Sequence, residues 1–376
     1  MSVLNRDIFS GRVKRLRERI AQSGVGCAVV YSDIWRTNNV AYLTDYRQGG
    51  GGVGQSWTAL LLPLNGTPTI FTGFEETGCA KLQLKIEANI EPSTRFEEVL
   101  IAHFAKHPPV KLGLVGTPII LHSVYRASER CAKMTDLVDC DLMLCRERWV
   151  KLPEEIEAIK RAFVINDTAL NEVIAAVHDG VTEHALFSIG TSSIARQGGE
   201  LAFIPTVNIG VNSGVAMKRP SDMMLQRGDL AMLDFGTMYE GYTADTTLCI
   251  AYHVTDSFKR GILETALEAR EAGLALVKPG TFMKDVENAV RGVIKKRGYG
   301  EYILHNFGHG LGIDSSEEDL PIGPHSELVI EKNMVFTFEP GIYVPGVGGC
   351  RLEECMVITD NGFEILSKLR PDYFID

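Results

Sequence analysis

Five polar side chains stand in strand or turn contexts that can bring them to one place. They are Asp234 in LAMLDFG, Asp245 in YTADTT, His309 in FGHGLGI, Glu339 in FTFEPGIYV and Glu353 in RLEECMVIT. Four carboxylates and one imidazole form an oxygen-rich set suited to two hard or borderline divalent cations. Any one of these residues alone says little. That all five sit in strands or turns that must converge restricts the fold more than any compositional value does.

The first two lie on one hairpin. Leu230 to Tyr252 reads as two long strands turning around Met238 to Gly241. With the turn centred between Tyr239 and Glu240, Asp234 and Asp245 fall directly opposite each other, with Cβ atoms about 5 Å apart. Two carboxylates that close repel unless a cation neutralises them, so the pair points to a metal where either aspartate alone would be a turn or cap residue. FTFEPGIYV and RLEECMVIT supply a second pair of strands. Glu339 precedes Pro340 and Gly341, so its strand ends or bends there. Arg351 and Glu353 alternate and share a face, which taken alone also fits a salt bridge to a neighbouring glutamate. His309 lies between two glycines, which lets its backbone approach something closely. Beside four carboxylates it reads as a metal ligand.

Composition removes several function classes. The 376 residues suffice for two domains with large cores, and 45% hydrophobic and 23% charged residues are ordinary globular values. A net charge of -10 argues against a nucleic-acid-binding surface. The N-terminal stretch lacks the apolar centre of a signal peptide, and no run of about 18 apolar residues occurs. A soluble cytoplasmic protein with no membrane or nucleic-acid partner is expected. The eight cysteines show no CxxC spacing, so reduced and mostly buried thiols are expected, with Cys350 and Cys355 beside Glu353 but not among its co-ligands.

Along the chain, Arg12 to Ser23 reads as an amphipathic helix, and CAVVYS, ALLLP and TPTIFTG read as strands of an α/β domain. The run Gly49 to Gly52 lacks the Lys-Ser/Thr ending of a phosphate loop and reads as a mobile loop. Pro153, with Glu154 and Glu155 in the first turn, marks a helix start. Its apolar stripe is Ile156, Ile159, Phe163, Val164, Val173 and Val177, and the domain boundary is placed near residue 150, dividing 1–150 from 151–376. Three further helices follow at 183–196, 257–277 and 281–298. The acidic run Ser315 to Asp319 reads as a solvated loop, and His325 as a loop residue.

These motifs resemble the pita-bread metallopeptidase superfamily, which includes prolidase, aminopeptidase P, methionine aminopeptidase and creatinase. The resemblance covers nearly the whole chain. It implies a creatinase-type α/β N-terminal domain, with NNVAYLTDY as a strand-and-turn segment, followed by an α+β pita-bread catalytic domain whose helices cover a curved antiparallel sheet. It places the metal ligands on Asp234, Asp245, His309, Glu339 and Glu353. It further implies two divalent ions (Mn, Fe, Co or Zn), with Asp245 and His309 catalytic and Glu339 both ligand and proton acceptor. His305 matches a position bordering the substrate pocket. Relatives pair as homodimers in which one subunit's N-terminal domain reaches the other's active site, and Gly49 to Gly52 and Trp57 are candidates for that reach.

The pattern departs from that family at two points. Peptidases of the family carry a histidine eleven residues before the Gly of GDL and another seven residues after the ligand histidine. Met217 and Ser316 stand at those positions here. Lys218 and Arg219 follow Met217 as a candidate anion site, where Arg suits a bidentate grip. With Ser316, Arg351 and His305 they form the expected substrate-binding group. The expected function is dinuclear-metal hydrolysis of an amide or related C–N bond in a small polar or dipeptide-like substrate, with weak Xaa-Pro peptidase activity. A metal-dependent lyase and a non-catalytic binding protein are the alternatives.

Overall fold

In the computed structural model, which describes residues 4–34, 36–49, 57–107, 111–132, 137–317 and 320–375, the chain divides into one unit up to Arg148 and another from Trp149 onward. In the first unit, strands β1 (Cys27–Asp33), β2 (Trp57–Pro63), β3 (Thr69–Thr72), β4 (Asn89–Pro92), β5 (Leu112–Val115) and β6 (Leu137–Asp139) form a sheet in the order β4-β3-β2-β1-β5-β6. β1 runs antiparallel to β2 and parallel to β5. Both β1 and β2 are buried along nearly their full length, as continuous apolar runs require when a sheet is covered on two faces. The first helix, Arg6–Gln22, starts six residues before the expected Arg12, because the Asn5 side chain accepts from Ile8 N at 3.2 Å and caps it there.

Two expectations for this unit are corrected. Asn38–Thr44 is a helix, ended by Asp45 at φ +66°, and not a strand and turn. All seven of its residues are buried, so it shows no polar face for a periodicity reading to find. Trp57 is 8% exposed, stacks on Tyr31 at a centroid distance of 6.1 Å and meets Phe96 edge-on at 5.8 Å. It is a core residue of its own unit and has no free ring to reach a neighbouring subunit. Of the glycine run, Gly50 to Gly52 lie outside the described residues.

In the second unit, helices Pro153–Ala175, Glu183–Arg196, Ser257–Leu274 and Met283–Lys296 pack on β-structure. Strands β7 (Glu200–Leu201), β8 (Thr206–Ile209), β9 (Asp229–Tyr239), β10 (Tyr242–Tyr252) and β16 (Asp372–Ile375) make one sheet. β11 (Val335–Phe338), β14 (Glu354–Ile358) and β15 (Phe363–Ile365) make a second, and β12 (Gly341–Val344) with β13 (Gly348–Arg351) a two-stranded ribbon. Side chains alternate across the long β9–β10 hairpin. Ala231, Leu233, Phe235, Leu248 and Ile250 pack on the first two helices with Leu170, Val173 and Leu186. Leu230, Cys249 and Ala251 join Ile262, Val286 and Val290 of the other two helices and Phe336 and Phe338 of β11. Within the expected stripe of the Pro153–Ala175 helix, Ile159, Phe163 and Val173 are buried, whereas Val164 is 66% exposed. Ala158, Ala162, Ile165, Ala169 and Leu170 are the other buried apolar residues of that helix.

The hairpin turn sets the site geometry. Glu240 and Gly241 occupy it with φ of +49° and +83°, the two left-handed residues that a tight two-residue hairpin loop needs. Tyr239 therefore pairs with Tyr242, Asp234 with Thr247 and Asp245 with Gly236. Asp234 and Asp245 share a face as diagonal neighbours instead of standing directly opposed, because Gly241 draws the turn centre one position later than expected.

Candidate metal centre

Breaks in regular structure aim the remaining side chains at that face. β11 stops at Phe338, and Glu339 follows at the bend before β12. Leu352 and Glu353 interrupt the path from β13 to β14, with Glu353 N donating to Thr247 O at 2.9 Å. His309 is held by its backbone, since its N donates to Thr337 Oγ1 at 3.0 Å and its O accepts from Thr337 N at 2.8 Å. A Cβ on Gly308 would lie 2.2 Å from Thr337 O, and one on Gly310 would lie 2.9 Å from Glu317 O, so both glycines flanking His309 are required by close backbone approach.

The cluster so formed is buried and rich in negative charge. Ligand atoms of Asp245, His309 and Glu353 all lie within 4.8 Å of one another. His309 Nε2 is 3.4 Å from Glu339 Oε1 and 3.9 Å from Asp245 Oδ2. His309 Nδ1 lies 3.0 Å from Gly310 O, a carbonyl that can only accept, so Nδ1 is the donor there. Its other nitrogen, Nε2, is the one that faces the carboxylate oxygens. Asp234 Oδ1, Asp245 Oδ1 and Glu353 Oε1 are buried without a hydrogen-bond partner among the described residues. Buried orphan acceptors are costly unless something positive lies among them. Burial raises the Asp245 carboxyl well above its usual range, with further upward pressure from Glu353, Asp234 and Glu339. Burial likewise lifts Asp234 to about 6 and Glu353 to about 7, and raises Glu339. The orphan oxygens of Asp234, Asp245 and Glu353 together with His309 Nε2 are the kind of donor set a divalent cation takes, and Glu339 Oε1 stands beside the same nitrogen.

Arg351 departs from its expected role. Its side chain is 4% exposed, and its guanidinium pairs with Asp234 Oδ2 while Nε donates to Thr247 Oγ1 at 3.0 Å and stands 3.8 Å from Glu339 Oε2. Nη1 donates to Ala216 O and to the Tyr343 hydroxyl, each at 3.2 Å. Arg351 is part of the carboxylate cluster, not an exposed substrate contact. His305 is engaged as well. The Tyr343 hydroxyl, accepting from Arg351, donates to His305 Nε2 at 2.7 Å, and His305 Nδ1 donates to Asn306 O at 2.6 Å. With both nitrogens held by protein, and burial lowering its pKa to about 4, His305 is a neutral spacer behind Tyr343.

The two cations after Met217 divide. Lys218 Nζ lies 3.6 Å from Glu183 Oε2 and donates to Arg219 O at 3.2 Å, so its charge serves the loop. Fully buried Glu183 also accepts from Ile209 N, Asn212 Nδ2, Ser221 N and Ser221 Oγ at 2.6–2.9 Å, tying both ends of that loop to one carboxylate. Arg219 is exposed, and its guanidinium has no protein partner among the described residues. Met217 is 82% exposed, next to the Ala216 carbonyl that Arg351 holds. Ser316 is half-buried. Its neighbour Glu317 overturns the reading of a solvated acidic loop: it is 2% exposed and pairs with Lys151, while Glu318 and Asp319 lie outside the described residues. Cys350 and Cys355 are fully buried, and burial raises both thiols well above their ordinary pKa, which keeps them protonated. All eight cysteines are free thiols. His325 sits on an exposed turn.

Thr247 and Tyr343 are functional-site residues that the sequence reading passed over. Both had a signal. Thr247 faces Asp234 once the turn is centred on Glu240–Gly241, and Tyr343 lies two residues after Gly341, the partner of Arg351 in the β12–β13 ribbon.

Both units of the chain match known proteins. Residues 157–360 match metallopeptidase family M24, and residues 12–150 match the creatinase/prolidase N-terminal domain. An Xaa-Pro dipeptidase of Pyrococcus furiosus is 33% identical over 258 residues, which is 68% of this chain and 73% of that protein. An uncharacterized peptidase of Staphylococcus epidermidis is 27% identical over 366 residues, 95% of this chain and 99% of that protein. The structure of an Xaa-Pro dipeptidase from Bacillus anthracis superposes with a TM-score of 0.85 at 26% identity, covering 98% of this chain and 100% of that one. For an X-Pro aminopeptidase from Thermotoga maritima the TM-score is 0.84 at 27% identity, with 97% and 99% covered. No helix among the described residues is long and apolar enough to cross a membrane. An α/β N-terminal domain joined to a mixed sheet-and-helix domain is what these matches share, and the chain belongs to metallopeptidase family M24 as a creatinase-type, pita-bread, metal-dependent hydrolase of the peptidase kind.

Proposed function

We propose that this protein is a dinuclear-metal hydrolase that cleaves an amide or related C–N bond in a small polar, dipeptide-like substrate, and that it is a slow Xaa-Pro peptidase. The observation that carries the reading is His309 Nε2 facing two carboxylates inside a cluster where three buried oxygens have no partner among the described residues. Arg351 and one imidazole do not balance four carboxylates. Two divalent cations can, and the mixed oxygen and nitrogen donors suit manganese, iron, cobalt or zinc. Asp234, Asp245, His309, Glu339 and Glu353 are the proposed ligands. Bound ions would supply Lewis-acid activation of water and of the scissile carbonyl.

The chain's own groups do the rest. Glu339, at the bend between β11 and β12, is the proposed proton acceptor. Arg351 holds Asp234 in place and offsets part of the cluster's charge, and Tyr343 and His305 keep Arg351 from turning. Ser316 can donate a hydrogen bond to a substrate, while Met217 cannot. Arg219 has the free guanidinium needed to hold a substrate carboxylate. A homodimer in the cytoplasm is the proposed working state, in keeping with the eight free thiols.

Arg219→Ala is expected to raise KM about tenfold or more, the scale of one hydrogen bond to a charged group, with little change in kcat or melting temperature. Wild-type KM in that variant would return Arg219 to the solvated surface. Hydrolysis is separated from elimination by turnover in ¹⁸O-water: hydrolysis places one labelled oxygen in the acid product, and an unlabelled product would favour the lyase reading.

A further inference from the structure

The function proposed above does not use the buried ion pair of Lys151 and Glu317. Lys151 Nζ lies 2.7 Å from Glu317 Oε2, and each side chain is 1% exposed. A buried ion pair is often no more stabilising than apolar residues of the same volume, so its position is more telling than its strength. It stands against the segment that leaves His309. Glu317 N donates to Gly310 O at 2.7 Å, which closes residues 310–317 into a loop with its two ends paired. A Cβ on Gly312 would fall 2.8 Å from both Glu317 Oε1 and Lys151 Cε, so the loop backbone lies directly on the pair. Gly312 O accepts from Thr243 N at 2.8 Å and from Thr243 Oγ1 at 3.0 Å, two residues before Asp245 on β10. Lys151 N donates to Asn333 O at 2.8 Å, and Val150 bridges to Met334, immediately before β11 and Glu339.

We propose that the Lys151–Glu317 pair is a positioning device. It fixes the 310–317 loop, and through that loop sets the His309 imidazole and the Ser316 hydroxyl relative to Asp245. The charges matter because an ammonium and a carboxylate in contact allow one arrangement, where apolar side chains of equal volume would let the loop slide on its glycines. This inference rests on the metal-dependent reading of the site.

The test uses the full chain, cobalt(II) as the probe, and three variants: Lys151→Met, Glu317→Gln, and the double variant Lys151→Met/Glu317→Leu. Each single variant breaks the buried pair and is expected to melt lower and to bind cobalt at least about tenfold more weakly, the range seen when residues supporting metal ligands are lost. The double variant removes both charges of the pair, so its melting temperature should recover toward the parent value. Its cobalt affinity should stay reduced about tenfold or more, with a shifted d–d absorption band, because the loop has lost its fixed register. The double variant decides the matter even if the single variants do not fold. Parent-like cobalt affinity and spectrum in it would overturn the proposal, since the pair would then act through stability alone. A parent protein that binds no cobalt would overturn the metal reading itself, and the proposal with it.

Discussion

Replacing Asp245 with alanine is expected to lower hydrolysis at least about 10³-fold, at or beyond the upper end of what one lost transition-state donor costs, while the protein stays folded. Asp245 sits at the centre of the cluster, within ligand distance of His309 and Glu353 and diagonal to Asp234 on the hairpin face. In the metal-free chain it is a liability. One of its oxygens has no partner among the described residues, and burial together with three neighbouring carboxylates disfavours its charge. The chelated variant should therefore melt no lower than the chelated parent. With metal the order reverses. A ligand present at a hundred times its dissociation constant stabilises the folded state by about 2.7 kcal/mol, so the parent should gain melting temperature on addition of manganese or cobalt, and Asp245→Ala should gain far less. Melting curves with and without chelator, alongside activity, check both halves. An active variant, or one with the parent's full metal-dependent gain, would remove Asp245 from the site.

Placing histidine at both Met217 and Ser316 should raise Xaa-Pro cleavage about 10²- to 10⁴-fold, the usual value of general acid–base assistance. The two positions flank the cluster by different routes. Met217 follows the Ala216 carbonyl that Arg351 holds, and Ser316 precedes the buried Glu317 that pairs with Gly310 beside His309. Neither residue present can pass a proton near neutral pH, since a thioether has none to give and a serine hydroxyl is far too weak an acid. The parent is accordingly expected to show kcat/KM below about 10⁴ M⁻¹s⁻¹ on Xaa-Pro dipeptides, the lower end of common enzyme values. Steady-state assays of metal-loaded parent and double variant decide it. A parent value at or above that range would show that the missing imidazoles do not limit this enzyme.

The proposed ligands were legible because each sits in a local context that survives folding: a strand with alternating faces, a bend before proline, a histidine between glycines. What alternation could not supply was register. One residue in the Glu240–Gly241 turn decides whether Asp234 faces Asp245 or Thr247, and left-handed backbone at Glu240 has no strong sequence mark. Partnership was hidden for a related reason. The spacing of Arg351 and Glu353 says that they share a face, but not that the guanidinium turns back onto Asp234 and Tyr343. Glu317 was misread because an acidic run looks solvated, and its neutralising Lys151 lies 166 residues earlier in the chain. The Asn38–Thr44 helix escaped because burial on every side erases the periodicity by which helices are recognised.

Metal content is the measurement closest to the central claim that these five residues hold two divalent cations. The protein would be reconstituted with excess manganese or cobalt, freed of unbound ion by gel filtration, and analysed for metal per chain. Two ions per parent chain, and one or none in Asp245→Ala, are predicted. A folded parent that retains no ion after reconstitution with manganese, cobalt or zinc would contradict it.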